Sequence, residues 1–263
     1  MSKILAVANQ KGGVGKTTTA VNLAASLAAT HKRVLLVDLD PQGNATMGSG
    51  IDKSTLDTSI YEVLTGKEEI EQVIVKTPEA GFELLPANGD LTAAEVELLG
   101  LNMKELRLKY ALTKVKNRFD YILIDCPPSL NMLTVNALVA SDGVLIPVQC
   151  EYYALEGISA LVNTVNKIKS ALNKDLKIEG VIRTMYDPRN TLTNQVSSQL
   201  LKHFPNQVYN TTIPRNVRLA EAPSHGLPAL IYDRQSRGAV SYMALAAEMN
   251  RKSRVAAQKA VPA

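Results

Sequence analysis

The glycine-rich stretch at residues 11–18, Lys-Gly-Gly-Val-Gly-Lys-Thr-Thr, constrains this chain more than any other part of its sequence. It directly follows an apolar run at residues 4–8, which is typical of a buried strand. Glycines allow a tight turn whose backbone N–H groups point inward at an anion. A helix that begins near Lys16 adds the positive end of its dipole. A strand, a glycine loop and a helix start in this order predict a phosphate-binding loop.

The loop also supplies the side chains that phosphate chemistry requires. Lys16 is placed to reach the β- and γ-phosphates of a nucleotide, and the Thr17 hydroxyl is placed to hold Mg²⁺. The strict pattern G-x-x-x-x-G-K-[ST] is not matched, because Gln10 takes the first glycine position and a second lysine, Lys11, begins the loop. A merely flexible turn would not need Lys-Thr at this offset. The predicted phosphate-binding residues are Lys11, Gly12, Gly13, Val14, Gly15, Lys16, Thr17 and Thr18.

Apolar runs alternate with segments of helical periodicity along the whole chain. The runs at residues 34–37 and 121–124 are continuously apolar, which is typical of parallel strands covered on both faces. The predicted strands are 3–8, 33–38, 82–86, 120–125, 143–148, 179–185 and 208–212. The predicted helices are 16–29, 93–99, 103–117, 132–140, 153–172, 191–203 and 240–254. This alternation predicts an α/β fold with a doubly wound, mostly parallel sheet flanked by helices.

Length and composition fit one folded domain. The chain has 263 residues, 46% of them hydrophobic, which is ample for a buried core. We expect one domain over residues 1–254 and a flexible basic tail over residues 255–263. There is no apolar run long enough for a transmembrane helix, and a strand at residue 3 leaves no room for a signal peptide. Cys126 and Cys150 match no disulfide framework or metal motif, so we expect a cytoplasmic protein.

Two of the predicted strands end in carboxylates. Asp38 and Asp40 follow one apolar strand, and Pro41 then turns the chain into a loop. Asp125 ends another apolar strand and can hold Mg²⁺ through a water. Hydrolysis of a γ-phosphate needs a metal, charge neutralisation and a positioned water. A carboxylate just beyond a strand end can serve the water or the metal. The alternative is that Asp38 caps a loop and Asp40 is an ordinary turn residue.

Charge is unevenly distributed along the chain, although the net charge is only +4. Residues 183–263 contain 11 Lys and Arg against 4 Asp and Glu, whereas residues 1–182 contain 18 against 21. One interpretation is an anionic partner in addition to a nucleotide. The other is a solvated surface with a basic tail.

Together these motifs resemble those of the ParA/MinD class of P-loop ATPases, and in particular the Soj-type chromosome-partitioning ParA ATPases. The resemblance rests on the loop at 11–18, on Asp-Pro-Gln-Gly-Asn-Ala-Thr at 40–46 and on Glu-Ala-Pro-Ser-His-Gly at 221–226. It implies a deviant Walker A loop whose Lys11 crosses a dimer interface to the partner's nucleotide. It also implies that Asp40 aligns the attacking water, that Asp38 lies in the outer shell of the metal, and that Asp125 is the Walker B carboxylate.

The resemblance further implies ATP and Mg²⁺ as cofactors and a homodimer that closes on ATP. That dimer would bind double-stranded DNA non-specifically on the nucleoid, without stable membrane association, until a ParB-type partner accelerates hydrolysis. Such binding needs Lys and Arg on one face rather than a base-reading motif. The candidate DNA-binding residues are Arg189, Arg215, Arg218, Arg234 and Arg237. Arg218 is favoured, whereas Arg234 and Arg237 could make ion pairs within the fold. The adenine is expected near Pro214.

Other classes of ATPase share such a loop. A MinD-like membrane ATPase ends in an amphipathic helix with bulky apolar residues, but after Met249 this chain offers only Val255 and Val261. A redox ATPase like the nitrogenase iron protein needs cysteines in a cluster motif, which Cys126 and Cys150 do not form. A metabolic kinase or synthetase needs an acceptor pocket, for which the sequence has no mark.

Overall fold

The computed structural model describes residues 2–259, with the side chains of residues 2–255. The strands are β1 (Lys3–Val7), β2 (Val34–Asp38), β3 (Val75–Lys76), β4 (Glu83–Leu85), β5 (Tyr121–Asp125), β6 (Gly143–Gln149), β7 (Lys177–Tyr186) and β8 (Val208–Pro214). The helices are α1 (Lys16–Ala28), α2 (Asn44–Met47), α3 (Ile60–Thr65), α4 (Ile70–Val73), α5 (Leu91–Leu99), α6 (Arg107–Val115), α7 (Met132–Ala140), α8 (Ala154–Ala171), α9 (Thr191–His203), α10 (Val217–Glu221), α11 (Ala229–Tyr232) and α12 (Arg237–Lys259).

The strands form one eight-stranded sheet in the order β3-β4-β2-β5-β1-β6-β7-β8. Neighbouring strands are parallel except for the pair β3 and β4 at one edge, which is antiparallel. β1 lies between β5 and β6, at the point where the strand order changes direction. Ligands of doubly wound sheets bind at the carboxyl ends of strands next to such a point. The structure therefore confirms the predicted doubly wound, mostly parallel sheet.

Helices cover both faces of this sheet. On one face, α1 and α12 pack through side chains that include Leu23, Leu27 and Leu245. On the other face, the helices α5 to α9 pack through side chains that include Leu112 and Leu138. The continuously apolar strands follow from this arrangement, because each strand residue faces a covered side.

Two helices differ from their predicted bounds by more than two residues at one end or both. The segment predicted as one helix over residues 103–117 is α6 flanked by the short 3₁₀ turns Lys104–Leu106 and Lys116–Arg118. The helix predicted to end at residue 254 continues to Lys259 in α12. The tail expected to be flexible from residue 255 is thus helical as far as residue 259, and its last four residues, 260–263, lie outside the described residues. Its Val-Ala-Ala-Gln-Lys sequence has a good intrinsic helix propensity, which accounts for the continuation.

Several short elements carry little periodicity and were not expected, namely β3, α2, α3, α4, α10 and α11. One of them did have a signal in the sequence. α3 begins with a capping box in which Ser59 and Glu62 bond reciprocally to the backbone, and it ends at Gly66 with φ 80°. Within residues 2–259, we find no helix that combines the length and the apolar character needed to cross a membrane.

Candidate nucleotide-binding site

The glycine-rich loop joins β1 to α1 and is open on its outer side. Gly13 and Gly15 have φ values of 73° and 86°, the left-handed conformation that favours glycine. Gly15 is the N-cap of α1 and no side chain caps this helix end. A Cβ added to Gly12 or Gly13 would meet no atom of the described chain within 4 Å. The loop and the uncapped start of α1 can therefore receive an anion.

Lys16 lies beneath the loop and faces the carboxylates of the neighbouring strands. It is only 8% exposed, and its Nζ donates a hydrogen bond of 3.3 Å to the carbonyl oxygen of Lys11. Burial lowers the pKa of Lys16, while the nearby charges of Asp125, Cys126 and Asp40 oppose this effect. Lys16 is thus the cation of a site that is otherwise acidic.

Lys11 is held within its own chain. Its Nζ forms an ion pair of 3.0 Å with Glu151 Oε2, and both side chains remain partly exposed. Its backbone N–H donates to Asn9 Oδ1 at 3.0 Å, and Asn9 Nδ2 donates to the carbonyl oxygen of Pro147 at 2.8 Å. Asn9 therefore fixes the start of the loop against β6, while the Lys11 ammonium points to a surface carboxylate.

Asp125 is a buried carboxylate without a hydrogen bond of good geometry. It ends β5 and is fully buried, and neither of its oxygens accepts such a bond among the described residues, although the Thr17 hydroxyl lies near enough to act on it. Burial raises its pKa well above the usual range and the charge of Asp38 adds to this, while the Thr17 hydroxyl and the Lys16 ammonium oppose the rise. The parallel register pairs Asp38 with Asp125 across β2 and β5, which places these two strand ends side by side.

Asp38 is also fully buried, but its oxygens are engaged. Its Oδ2 accepts from the Thr46 backbone N–H at 2.8 Å and from the Thr46 hydroxyl at 2.7 Å, and its Oδ1 accepts from the Asp40 N–H at 3.2 Å. Burial raises the pKa of Asp38 to about 6, although the bonds from Thr46 lower it. Asp38 thus holds the following loop and also lies beside Asp125. The half-buried Asp40 accepts from the Gln42 N–H at 3.0 Å.

The carboxylates suit a metal ion that binds together with phosphates better than they suit a metal site made of protein ligands alone. Within residues 2–259 there is no group of three or more His, Cys, Asp or Glu side chains that could hold a metal ion. Mg²⁺ commonly takes one or two carboxylates together with waters and substrate phosphates. The unpartnered Asp125 and the neighbouring Thr17 suit that arrangement. Asp38 suits an outer position, because its oxygens already accept hydrogen bonds.

A cavity of about 190 Å³ lies beside the loop. Its wall is mostly apolar and consists of Gly15, Thr18, Thr184, Met185, Ile213, Pro214, Arg215, Asn216, Leu219, Ala220 and Tyr242. The Thr184 hydroxyl donates to the carbonyl oxygen of Val14 at 2.8 Å and so ties β7 to the loop. Met185 has a φ of 48°, which is unusual for a residue with a side chain. Pro214, which was predicted to lie near the adenine, is part of this wall.

The candidate DNA-binding arginines differ in whether they are paired with carboxylates. Arg218, the favoured DNA-binding candidate, forms ion pairs with Glu221 at 2.8 Å and with Asp233 at 3.2 Å. Arg189 pairs with Asp187 at 2.8 Å. By contrast, no ion pair of the described residues includes the exposed Arg234 or Arg237, for which ion pairs within the fold were the alternative interpretation. Arg215 lies in the wall of the base-sized cavity. The ion pairs of Arg189 and Arg218 have a local origin, because acidic residues stand two or three positions from these arginines in the sequence.

Four of these arginines nevertheless belong to one region. The Arg189 guanidinium lowers the pKa of Asp187 to about 2, and the charge of Arg237 contributes to that effect. Arg237 begins α12, three residues after Arg234. The ion pair between Arg218 and Asp233 brings Arg218 to the same segment. The structure thus brings Arg189, Arg218, Arg234 and Arg237 together around the start of α12.

Sequence reasoning missed the contacts that hold the site in shape. Thr46 belongs to the Asp-Pro-Gln-Gly-Asn-Ala-Thr motif, but nothing in the pattern shows that it bonds to Asp38. The Glu-Ala-Pro-Ser-His-Gly motif ends at Gly226, whose φ is 67°. A Cβ on Gly226 would lie 3.0 Å from the Cα of Gly50, so these two glycines let the segment pack against the loop after α2. The sequence alone does not show that Gly50 and Gly226 approach each other, because they lie far apart along the chain.

Known proteins are similar to this chain over nearly its full length. Residues 2–178 match the AAA domain family. The sporulation initiation inhibitor protein Soj of Bacillus subtilis is 55% identical over 249 residues, which cover 95% of this chain and 98% of that protein. The chromosome partitioning protein ParA of Myxococcus xanthus is 50% identical over 252 residues, which cover 96% and 89% of the two chains.

A solved structure agrees in fold and in the kind of site. The structure of cobyrinic acid a,c-diamide synthase from Mycobacterium smegmatis, with bound ADP and magnesium, superposes with a TM-score of 0.85. It is 40% identical and covers 97% of this chain and 96% of its own. The deviant loop, the two aspartate-ended strands and these similarities lead to one conclusion. This chain belongs to the Soj/ParA family of chromosome-partitioning P-loop ATPases.

Proposed function

We propose that this protein is an ATP-dependent partitioning switch. Two copies close on two ATP molecules, the dimer binds double-stranded DNA without sequence preference, and hydrolysis of ATP releases it. Hydrolysis is slow in the protein alone and is accelerated by a ParB-type partner. The ATPase domain comprises residues 1–254. The observation that carries the proposal is the buried, unpartnered Asp125 carboxylate beside Lys16 and the open loop, because this arrangement is complete only with a metal nucleotide.

The nucleotide site follows from the residues described. The backbone of Gly12 to Gly15 and the uncapped start of α1 hold the phosphates. Lys16 neutralises charge on the β- and γ-phosphates, and Thr17 with Asp125 holds Mg²⁺, which offsets the negative charge that develops during transfer. Pro214 contacts the adenine. The proposal is supported by the openness of the loop at Gly12 and by the apolar cavity beside it.

Asp40 aligns the attacking water. Its charge acts on both Lys16 and Asp125, so its carboxylate lies within electrostatic range of both residues. It is only half-buried, which leaves it accessible to water. Asp38 anchors the backbone on which Asp40 stands, through the bond from the Asp40 N–H.

Lys11 contributes to the partner's site in the dimer. For this, its ion pair with Glu151 must be exchanged for phosphate oxygens of the partner's nucleotide. An ion pair between partly exposed side chains contributes little free energy, so breaking it opposes formation of the dimer only weakly. ATP therefore favours the dimer, because its phosphates supply the negative charge to which Lys11 of the other copy binds.

The arginines around the start of α12 form the DNA-binding surface. Arg189 and Arg218 exchange exposed carboxylates for DNA phosphates, whereas Arg234 and Arg237 have no such pair to break among the described residues. Arg215, the fifth candidate, lies in the cavity wall. If a dimer neutralises about six phosphates, log K should fall with log salt with a slope of roughly −5.

DNA binding by the purified protein tests this proposal. We would measure it with ATP, ADP and no nucleotide at two salt concentrations, with sedimentation to report the oligomeric state. We expect a dimer that binds DNA only with ATP, less tightly at high salt and without regard to sequence. Lys16→Ala should abolish ATP binding or hydrolysis. Asp40→Ala should dimerise with ATP and remain on DNA, because hydrolysis stops.

Other outcomes point elsewhere. A dimer that forms with ATP but does not bind DNA would contradict the partitioning switch and redirect the search to phospholipid vesicles or a small-molecule acceptor. A salt slope near zero would contradict the role of the arginines. Normal turnover by Lys16→Ala would contradict the nucleotide site itself. An Asp40→Ala protein that fails to dimerise would make Asp40 structural.

A further inference from the structure

We infer that Asn22 is a positioning residue that couples the nucleotide site to Arg218 through the short helix α11. A series of hydrogen bonds joins the first turn of α1 to Asp233 by way of Asn22, and Asp233 in turn forms an ion pair with Arg218. The hold of Asp233 on Arg218 then depends on the phosphate loop. The inference rests on the proposed function, to which it adds a route between the nucleotide and the DNA-binding surface.

Asn22 bridges two helices from a buried position inside one of them. It is 4% exposed and lies in the middle of α1. Its Nδ2 donates to the carbonyl oxygen of Thr18 at 2.8 Å, and its Oδ1 accepts from the Ala229 N–H at 2.8 Å. Asparagine is a weaker helix former than leucine and is seldom buried. These two bonds are the physical reason for a carboxamide at this position.

Helix α11 depends on Asn22 for its position. It has only four residues, Ala229–Tyr232, and no side chain caps its start, where Pro228 is the N-cap residue. A helix this short is not stable by itself in water. Its first N–H, that of Ala229, is buried and donates to Asn22 Oδ1. The bond from α1 therefore fixes the place where α11 begins.

The other end of α11 holds Arg218. Asp233 follows the helix directly, and its N–H donates to the carbonyl oxygen of Ala229 at 2.9 Å. Its Oδ2 lies 3.2 Å from Arg218 Nε in an ion pair. The guanidinium carbon of Arg218 also lies 6.0 Å from the centre of the Tyr232 ring, at the end of α11. Because a guanidinium binds phosphate oxygens through the same N–H groups, Asp233 competes with DNA for Arg218.

The segment that leads into α11 has room to shift. A cavity of about 390 Å³ lies between this segment and α1. Close packing resists displacement, whereas a cavity lets a neighbouring segment move. The wall of the cavity includes Thr17, Thr18, Asn22, Pro223, Ser224 and Leu227. Phosphates that bind at Thr18 act on the carbonyl group to which Asn22 donates, and α11 carries the resulting shift to Asp233.

Hydrogen exchange measured by mass spectrometry tests the link without DNA. In the unchanged protein, ADP with Mg²⁺ should change the exchange of the amides of residues 229–233. The comparison with nucleotide-free protein does not involve the dimer, which the proposed function forms only with ATP. Asn22→Leu, of similar size, removes both bonds of the carboxamide. In this variant the same amides should exchange faster and should no longer respond to ADP.

DNA binding with ATP and with ADP measures the effect on Arg218. In Asn22→Leu, Asp233 is held less firmly against Arg218. The affinity for DNA with ADP should therefore rise by about two- to fivefold, the range that an exposed ion pair allows, and the ratio of the affinities with ATP and ADP should fall accordingly. Asp233→Asn should have a similar effect. The two substitutions together should add little to either alone, because they act through one contact.

Asn136→Leu is the matched control, because Asn136 makes the same kind of bridge in α7. Its Nδ2 donates to the carbonyl oxygen of Met132, four residues earlier, at 3.0 Å, and its Oδ1 accepts from the Leu108 N–H in α6 at 3.1 Å. This variant should lose thermal stability as Asn22→Leu does, but it should keep the ratio of the two DNA affinities. Sedimentation should show that both variants still dimerise with ATP.

Several results would overturn the inference. Exchange at residues 229–233 of the unchanged protein that ignores ADP is one, and it is decisive even if Asn22→Leu fails to fold. An Asn22→Leu protein that keeps the ratio is another, as are additive effects with Asp233→Asn or an equal change of the ratio in Asn136→Leu. A protein that binds no DNA with ATP would contradict the proposed function itself. DNA binding whose ratio is the same in Asn22→Leu would remove only the role of Asn22.

Discussion

The Thr46 hydroxyl donates a hydrogen bond of 2.7 Å to Asp38 Oδ2 and accepts one of 3.0 Å from the backbone N–H of Ala87. This single hydroxyl joins the end of β2 to the segment after β4. All three groups are buried, so each bond satisfies a polar atom that water cannot reach. Thr46 thereby fixes the carboxylate that lies beside Asp125, and the loop that carries Asp40 depends on the same contact.

Replacing the hydroxyl without changing the shape tests this contact. In Thr46→Val, the Ala87 N–H is left unsatisfied and Asp38 loses one donor. We expect the free energy of unfolding to fall by about 1–3 kcal/mol. Urea denaturation at neutral pH measures the change. Thr46→Ser keeps the hydroxyl and should retain most of the stability. A valine variant as stable as the unchanged protein would show that the bond is dispensable.

The sheet could be predicted because its signals are local. Each central strand is a continuous apolar run, and the loop between β1 and α1 has its own pattern of glycines and lysine. α7 and α9 were predicted to the residue, since their periodicity and their asparagine caps lie within one segment. The short helices α2 and α11 have too few residues for a period, so packing decides them rather than propensity.

In the candidate site too, the residues that belong to local motifs could be predicted, whereas the contacts that depend on tertiary structure could not. Lys16 and Asp125 could be placed from motifs, because a motif fixes which strand end a residue occupies. The partner of Asp38 could not be placed, because Thr46 reaches it through the fold of a loop. The state of the arginines could not be predicted either, since Arg218 pairs with Asp233 across fifteen positions of sequence. Contacts of this kind depend on tertiary structure and leave no periodic trace.

Gly12 should be replaceable in the free chain but not in the dimer. A Cβ at this position meets nothing within 4 Å, and its φ is not in the left-handed range. We therefore expect Gly12→Val to fold with an unchanged thermal midpoint and to bind ATP, but to remain a monomer because the added side chain obstructs the partner. Sedimentation with a non-hydrolysable ATP analogue measures this.

The control for Gly12 is a glycine that the free chain does require. Gly43 has a φ of 59°, and a Cβ there would lie 2.8 Å from the carbonyl oxygen of Ala87. Gly43→Val should therefore lower the thermal midpoint even without nucleotide. A dimer formed by Gly12→Val with the ATP analogue would contradict the proposed close approach of the partner.

Glu248 should contribute stability that is lost in acid. Its oxygens accept from the N–H groups of Asn210 and Thr211 at 2.8 and 2.9 Å, and from the Thr211 hydroxyl at 2.8 Å. Burial raises the pKa of Glu248, but these bonds and the charge of Lys252 outweigh it, so the pKa lies below its ordinary value of 4.5. A carboxyl whose pKa is depressed in the folded state stabilises the fold at pH values above its unfolded pKa. This stabilisation disappears as the pH falls through its folded pKa.

Glu248→Gln should therefore be less stable than the unchanged protein at neutral pH, by about 2 kcal/mol. The difference should shrink as the pH is lowered below 4.5, because the native carboxyl is then protonated as well. Urea denaturation at several pH values measures the difference. Glu71→Gln, at an exposed position of α4, serves as the control and should show no such dependence. A difference that stays constant down to low pH would show that charge is not its source.

Two buried tyrosines should respond in opposite ways to loss of their hydroxyls. Tyr209 and Tyr242 are both fully buried. The Tyr209 hydroxyl has no hydrogen-bond partner among the described residues. The Tyr242 hydroxyl, by contrast, lies 3.0 Å from Thr19 Oγ1. Removing an unsatisfied buried hydroxyl relieves its desolvation, so Tyr209→Phe should leave stability unchanged or raise it by up to about 1 kcal/mol. Tyr242→Phe strands the Thr19 hydroxyl and should lower stability by about 1–2 kcal/mol. Urea denaturation of the two variants side by side decides the matter, because equal losses would mean that the Tyr209 hydroxyl does have a donor or acceptor in solution.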